Sequence, residues 1–181
     1  MCGNGARCIG HYICKHGLSD KVDWVLRTMT TSIRVENVTM SQYRVHMDKP
    51  LLDWSDVPMS QSGCRHIVVD GVRYNFFAVN VGNPHIVIMV DEIQEERLVA
   101  VGEWVNASPL FPEGVNVSFL KVIENDRVIL SVYERGVGLT QACGSAACAA
   151  AVMLRFQHLG EGRIQVVQPG GTLITHYDPD E

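Results

Sequence analysis

Apolar positions recur along this chain with two different periods, and the switches between them mark out its elements. Ala6, Ile9, Tyr12 and Ile13 fall at helical spacing, which predicts a helix over residues 5–17 closed by Gly17. Alternating stretches follow. "WVLRTM" (24–29), "SIRVENVTM" (32–40) and "YRVHM" (43–47) each predict a strand with one buried face. "KPLLDWSDVP" (49–58) carries a proline near each end, reads as a loop, and is the predicted domain boundary. "RHIVVDGVRYNFFAVNVG" (65–82) predicts a hairpin turning at Asp70–Gly71, and "HIVIMVD" (85–91) a buried strand. "EIQEERLVAVGEWVNA" (92–107) predicts a short amphipathic helix. "GVNVSFLKVIENDRVILSVYERG" (114–136) predicts two strands around Asn125–Asp126. A second helix, rich in small residues at its start, is predicted over "ACGSAACAAAVMLRFQHLG" (142–160), and a last hairpin over "RIQVVQPGGTLITHYD" (163–178).

The pattern contains an internal repeat. "CGNGARCIGHYICKHGL" (2–18) is similar to "CGSAACAAAVMLRFQHLG" (143–160). Each runs Cys-Gly-polar, small residues, a second cysteine, an apolar helix and a Leu/Gly stop. Strand-like segments follow each copy. The chain therefore reads as parts of two similar halves, each presenting a Cys-Gly at the front of a helix.

Composition narrows the class. The 181 residues are 46% hydrophobic and 19% charged, a globular balance with enough apolar content for a real core. A formal charge of -5 argues against a sequence-independent grip on nucleic acid. No apolar run is long enough to predict a membrane-spanning helix, and no basic-then-apolar leader opens the chain. The expectation is a soluble, cytoplasmic protein with no nucleic-acid or membrane partner. The six cysteines (Cys2, Cys8, Cys14, Cys64, Cys143 and Cys148) cluster rather than spread, and a chain this long and apolar needs no disulfide framework.

Two of those cysteines can do chemistry. A helix N-terminus has unpaired N–H groups and a partial positive charge, which predicts a lowered thiol pKa for Cys2 and Cys143 and a place for a carboxylate. A glycine beside each lets a ligand approach the backbone. Two such turns in a duplicated protein suggest a pair facing one substrate, one thiolate taking a proton and the opposite thiol returning one. That is the logic of a two-base racemase or epimerase. The plainer alternative is a buried cysteine acting as a small hydrophobe, and it is the preferred reading for Cys8, Cys14, Cys64 and Cys148. Cys8, His11, Cys14 and His16 crowd together, but their spacing matches no common structural zinc pattern, so no metal site is assigned.

Five segments in order, "CGNGARC" (2–8), "GNPH" (82–85), "GVNVSF" (114–119), "ERGVG" (134–138) and "ACGSAACA" (142–149), resemble the motif set of diaminopimelate epimerase. They span nearly the whole chain. The resemblance implies an isomerase without a cofactor that converts LL-2,6-diaminopimelate to the meso form, on the bacterial route to lysine and peptidoglycan. It implies an α+β fold of two similar β-barrel-like domains, each wrapping a central helix, with the active site in the cleft between them. The remainder of the N-terminal domain would occupy 1–49 and the C-terminal domain 50–181. Carried over residue by residue, Cys2 and Cys143 would be the catalytic pair. Gly3, Asn4, Gly144 and Ser145 would lend backbone N–H groups to the carboxylate at the reacting carbon. Glu134 would read the distal ammonium and Arg135 the distal carboxylate, whose two oxygens suit a guanidinium fork. Asn83 and Asn116 would add hydrogen bonds, and His85 would orient or tune the thiols.

Without the resemblance, each of these has a blander reading. Adjacent Glu134 and Arg135 on a strand would be a surface pair, Asn83 a turn residue, Asn116 a strand-edge polar group and His85 structural. Some positions also depart from the family pattern. Leu139 stands where many members have Glu, which removes a carboxylate near the site, and Ala146 replaces a usual Gly, which a helix accommodates. Related proline racemases usually have His after the first Cys-Gly, where this chain has Asn4, and the phenazine-biosynthesis relatives lack the cysteine pair. An amino-acid racemase of the proline racemase type and an inactive fragment of the epimerase stay open as alternatives. Members of the family have strands before the first Cys-Gly and closing strands after "GGTLITHYDPDE". The first domain is therefore expected to be incomplete here, the C-terminal end truncated, and Met1 an internal methionine. Exposed strand edges in such a piece invite aggregation or pairing into a homodimer.

Overall fold

The computed structural model describes residues 3–29, 31–160 and 162–179. The chain divides into two compact units, Met1–Lys49 and Pro50–Glu181. Among the described residues the fold is α+β, with three α-helices and twelve strands.

The first unit holds α1 (Gly3–Lys15) and an antiparallel sheet of β1 (Asp23–Arg27), β2 (Ser32–Thr39) and β3 (Gln42–His46), in the order β1-β2-β3. Its core is small: Ala6, Ile33 and Val35, with Trp24, Leu26, Tyr43 and Val45 packed around them. The helix turns a different face inward from the one its large apolar residues predict. Gly3, Ala6 and Gly10 are buried, while Ile9 and Tyr12 are exposed. The reason is close approach. A Cβ on Gly10 would stand 2.9 Å from Val35 Cγ1 and 3.1 Å from the Tyr43 ring, so only a bare backbone fits against the sheet there.

The second unit is built on a seven-stranded mixed sheet. Its strands are β6 (Phe77–Asn80), β7 (Pro84–Met89), β8 (Asn116–Glu124), β9 (Arg127–Glu134), β10 (Gly138–Thr140), β11 (Arg163–Gln168) and β12 (Gly171–His176). The path runs β12-β11-β9-β8-β7-β6, and β10 pairs with β9. β7 and β8 are parallel, as are β9 and β11. A separate hairpin joins β4 (His66–Val69) to β5 (Val72–Asn75). Its turn is Asp70–Gly71, with φ of 51° and 76°, the mirror-image turn that suits strand twist. The segment expected to be one hairpin over 65–82 thus splits. After β5 the chain crosses to the large sheet, where β6 pairs antiparallel with β7.

The central strands of the large sheet are buried on both faces. One face packs on α3 (Gly144–Phe156) through Val87, Leu120, Val128, Leu130 and Val132. The other packs on α2 (Glu95–Ala107) and on the β4–β5 hairpin through Ile86, Ile88, Val117 and Phe119. Two buried faces explain why Ile86, Val87 and Ile88 form a continuous apolar run rather than an alternating one. α2 presents Leu98, Val101, Gly102 and Val105 at helical spacing. α3 is enclosed almost all round, and its run of alanines lets strands approach closely.

Both copies of the repeat form a 13-residue helix that begins at the glycine after the cysteine. The C-terminal caps match as well. The Leu18 N–H donates to Ile13 O at 3.0 Å around a left-handed Gly17 (φ 59°). The Leu159 N–H donates to Leu154 O at 2.9 Å around a left-handed His158 (φ 56°).

Candidate functional site

The site in the second unit is assembled where three chain segments end. Cys143 is the N-cap of α3, with extended backbone (φ -128°, ψ 117°) and no capping hydrogen bond from its own side chain. The residue is buried, 6% exposed. Sγ lies 3.4 Å from Ser145 Oγ, inside the first turn of the same helix. From the start of β7, the buried His85 brings Nε2 to 3.0 Å from Ser145 Oγ and 3.1 Å from Asn83 Oδ1. The contact to an amide oxygen calls for a proton on Nε2. One N–H then faces both oxygens, and the Ser145 hydroxyl is free to donate to sulfur. His85 Nδ1, buried with no hydrogen-bond partner, is left as the bare nitrogen of a neutral ring.

The electrostatics follow from burial. Desolvation first, and the Arg135 charge second, push the His85 pKa down to about 3, so the imidazole is neutral at physiological pH. The Cys143 thiol is pushed up, chiefly by burial. Hydrogen bonds from Ser145 and from the backbone of Ala146 pull it down, and Glu134 adds to the rise. This reverses the expectation of a lowered thiol at Cys143. The helix N-terminus is real, but an apolar surround costs a thiolate more than two donors return.

The other predicted residues of this unit divide into two groups. Cys143, Ser145, His85 and Asn83 come together as above, with Gly144 as the first residue of α3. Glu134 and Arg135 lie at the end of β9. Glu134 accepts a hydrogen bond from Thr140 Oγ1 at 2.6 Å, across the tight β9–β10 turn in which Gly136 has φ 76°. Arg135 Nη1 donates to Glu113 O at 2.9 Å and to Gly114 O at 3.3 Å, so the carbonyls of the loop before β8 hold its guanidinium. Asn116 bridges the two groups. It donates from Nδ2 to Pro84 O at 3.0 Å and accepts the Arg135 N–H on Oδ1 at 2.9 Å. It also stands opposite His85 in the β7–β8 register. Its carboxamide is therefore largely committed to positioning Arg135 and the Asn83–His85 turn.

In the first unit Gly3 is buried at the start of α1, and the Asn4 side-chain oxygen accepts from Arg7 Nη2. Cys2 lies outside the described residues. Of the cysteines read as inert, Cys8 is exposed and Cys14 and Cys64 are half-buried. Cys14 Sγ accepts from Asn37 Nδ2 at 3.0 Å, and Cys64 Sγ donates to His66 O at 3.2 Å. Among the described residues no group of three or more His, Cys, Asp or Glu side chains is placed to hold a metal ion. Among them, too, no helix is long and apolar enough to cross a membrane.

Two further side chains, Thr140 and Gln168, belong to the site. Thr140 carries the hydrogen bond to Glu134, and only the β10 strand, three residues long, brings it there. Gln168, buried at the end of β11, accepts the Cys143 N–H on Oε1 at 2.8 Å and donates from Nε2 to Cys143 O at 3.3 Å. Neither has a sequence signal of its own. Leu139, where a carboxylate is frequent in the family, is exposed on β10 opposite Tyr133. Ala146 is buried within α3.

Known proteins place these features in one family. The family profile for diaminopimelate epimerase matches residues 77–181, which hold β6 to β12 and every residue of the cluster around Cys143. A diaminopimelate epimerase of Coxiella burnetii is 39% identical over 176 residues, covering 96% of this chain and 64% of the relative. One from Phocaeicola vulgatus is 37% identical over 185 residues, covering 98% and 66%. The chain thus spans about two thirds of the length of these curated relatives. Among solved structures, a probable proline racemase from Agrobacterium radiobacter, crystallised with bound carbonate, superposes with a TM-score of 0.69 over 95% of this chain and 57% of its own. At 13% identity that likeness speaks for the fold alone. The motif order, the seven-stranded unit with a cysteine heading its central helix, and the profile match over that unit agree, and the chain belongs to the diaminopimelate epimerase family.

Proposed function

We propose that this chain carries its family's chemistry: epimerisation of LL-2,6-diaminopimelate to meso-diaminopimelate by proton transfer through two thiols, Cys143 and Cys2, without a cofactor. The observation that carries the reading is Cys143 at the head of α3, faced by the Ser145 hydroxyl with His85 behind it. A group placed like this can hold or move one proton, and its neutral histidine keeps a serine O–H turned toward sulfur.

An α-proton is a weak acid, so the carbanion-like state must be stabilised where it forms. The N–H groups of Gly144 and Ser145, at a helix N-terminus, serve the carboxylate on the reacting carbon, and Gly3 and Asn4 do the same from the other copy of the repeat. Cys143 acts as base on one stereoisomer and as acid on the other, with Cys2 in the complementary state. A raised thiol pKa suits the acid role, because the proton stays on sulfur until a carbanion takes it. Glu134 reads the distal ammonium and Arg135 the distal carboxylate. Asn83 and the remaining N–H of Asn116 add hydrogen bonds. The two-domain reading, 1–49 and 50–181 with a barrel-like wrap around each helix, belongs to the same proposal.

Incubation of the purified chain with LL-diaminopimelate in D₂O tests it, with deuterium at the α-carbon followed by mass spectrometry and proton NMR. Incorporation that is lost in Cys2→Ala and in Cys143→Ala is the expected result. No incorporation by this chain, nor by a version extended at both ends, would overturn the reading.

A further inference from the structure

The backbone of Cys143 is held from outside its own helix. Gln168 takes the Cys143 N–H on Oε1 at 2.8 Å and gives an N–H back to the Cys143 carbonyl at 3.3 Å. Its carboxamide therefore does what a neighbouring strand would do, pairing with donor and acceptor of one residue. The same turn supplies a third bond, from the Gly170 N–H to Gln141 O at 2.7 Å. Contact is so close that a Cβ on Gly170 would stand 3.0 Å from Gln141 O and 3.2 Å from Ala142 Cβ. The β11–β12 turn thus lies along residues 141–143 and clasps the segment that delivers Cys143 to α3.

This clasp has a chemical consequence. Helix N-caps usually spend their side chain on the first turn's N–H groups. Cys143 makes no capping hydrogen bond of full geometry, although the Ala146 N–H lies close enough to favour its thiolate, and its backbone N–H and carbonyl are both paired with Gln168. Its sulfur is left to face Ser145 Oγ at 3.4 Å. We infer that Gln168 is a positioning residue for proton transfer: its carboxamide fixes the Cys143 backbone so that Sγ stays within reach of the Ser145 hydroxyl. The inference rests on the proposed acid/base role of Cys143, and it concerns geometry that exists before any substrate is bound.

The Gln side chain is nearly fully buried, so a purely stabilising role is the competing account. The two accounts differ in what they do to sulfur. Loss of a merely structural contact lowers stability and leaves the thiol of the folded protein unchanged. Loss of the clasp lets Cys143 drift from Ser145 and from the first-turn N–H groups, and the thiolate loses its donors.

The experiment is the pH dependence of Cys143 alkylation by iodoacetamide, resolved from the other cysteines by peptide mass spectrometry. Parent, Gln168→Met and Gln168→Asn are compared under conditions where circular dichroism shows each folded. Met keeps the length without the two hydrogen bonds, and Asn keeps the amide but is too short to reach. Both are expected to raise the titration midpoint and to slow alkylation at neutral pH at least threefold. Folded variants that titrate like the parent would overturn the inference. If neither variant folds, NMR of the parent decides. A through-hydrogen-bond coupling from the Cys143 amide to the Gln168 side-chain carbonyl supports the clasp, and absence of that coupling refutes it. No substrate enters these measurements. A moved midpoint with no deuterium incorporation by this chain or by the version extended at both ends would sink the epimerase reading and leave Gln168 as the residue that positions the thiol, whereas incorporation with an unmoved midpoint would sink this inference alone.

Discussion

His85 and Ser145, on different elements of the second unit, meet at 3.0 Å beneath the Cys143 thiol. The contact is fully buried, and it joins the start of β7 to the first turn of α3. A neutral histidine can give its only N–H to Ser145 and Asn83 oxygens, which turns the serine proton toward sulfur 3.4 Å away. The serine is therefore the one side chain that can support a Cys143 thiolate from within the helix.

Ser145→Ala removes that donor without adding bulk. Hydrogen bonds to charged groups are worth about 1.5–3 kcal/mol, and about 1.4 kcal/mol is one pKa unit. The Cys143 titration midpoint is expected to rise by roughly a unit or somewhat more, and exchange of the substrate α-proton to slow about tenfold or more. Site-resolved alkylation and deuterium incorporation measure the two effects. An unchanged midpoint would remove Ser145 from the thiol's support.

His85 makes the second unit acid-sensitive. Its pKa is about 3 folded, against about 6.5 for an ordinary histidine. The unfolded chain binds this proton first, so the stabilisation is complete above pH 6.5 and is lost as pH falls toward 3. The loss has a limiting slope of about 1.4 kcal/mol per pH unit within that window. His85→Gln retains a side-chain N–H donor but does not titrate. Urea unfolding of parent and variant at several values between pH 7 and 4 is expected to show a steeper acid loss in the parent. Parallel pH profiles would contradict a buried neutral imidazole.

Arg135 shows why Lys is no substitute at a forked site. Its Nη1 is fastened to the Glu113 and Gly114 carbonyls, which leaves the rest of the guanidinium to face outward as a plane. A lysine ammonium would be a point charge without that anchorage. Arg135→Lys is expected to raise KM for diaminopimelate about tenfold or more, as losing one charge-assisted hydrogen bond of about 1.5 kcal/mol would, while kcat changes less. A KM like the parent's would take Arg135 out of substrate recognition.

The parts of this fold that announce themselves in sequence are those whose signals are local. The Asp70–Gly71 dipeptide dictates its turn, the run Ile86–Val87–Ile88 needs apolar cover on both faces, and Gly17 closes α1. What is hidden depends on distant partners. Ile9 and Tyr12 look like the buried face of α1, yet Gly10 decides it by its fit to Val35 and Tyr43. β6 reads as the continuation of a hairpin because nothing in "FFAVN" records that its partner is β7. The candidate site divides in the same way. Motifs marked Cys143, Ser145 and His85, whereas Gln168 carries no motif, and its bond to Cys143 exists only once β11 has folded back beside α3. The raised pKa of the Cys143 thiol is hidden from the sequence for a related reason. Helix position is visible in a sequence, but the apolar surround that raises the pKa is a tertiary fact.

Gly102 of α2 tests how tightly the α2 face is packed. A Cβ there would fall 2.3 Å from Cγ of Tyr133, inside the ring's own volume. Alanine is the better helix former by about 1 kcal/mol, but overpacking costs about 1–3 kcal/mol and more when a ring must move. The clash wins, and Gly102→Ala is expected to destabilise the second unit by a net 1–2 kcal/mol or so, read as a lowered urea midpoint. A Gly102→Ala chain as stable as the parent would mean that the Tyr133 ring is free to shift.

The two copies of the repeat close their helices alike but with different residues, and the difference can be measured. Gly17 and His158 hold the same left-handed position, φ 59° and 56°, at the same distance from their cysteines. In each case an N–H one residue on reaches back to the helix, from Leu18 to Ile13 and from Leu159 to Leu154. Glycine adopts this conformation freely, whereas a residue with a Cβ is strained there by roughly 1–2 kcal/mol. Part of that strain is offset because glycine has more freedom to lose from the unfolded chain. His158→Gly is therefore expected to stabilise the second unit by about 0.5–1 kcal/mol, and Gly17→Ala to destabilise the first by a similar amount. His158 is exposed, and its side chain stands clear of the Cys143 end of α3, so alkylation of that thiol should not change. Urea midpoints for the two variants, with the alkylation rate as control, give the comparison. A destabilised His158→Gly would show that the imidazole holds the cap by a contact stronger than the backbone strain it carries.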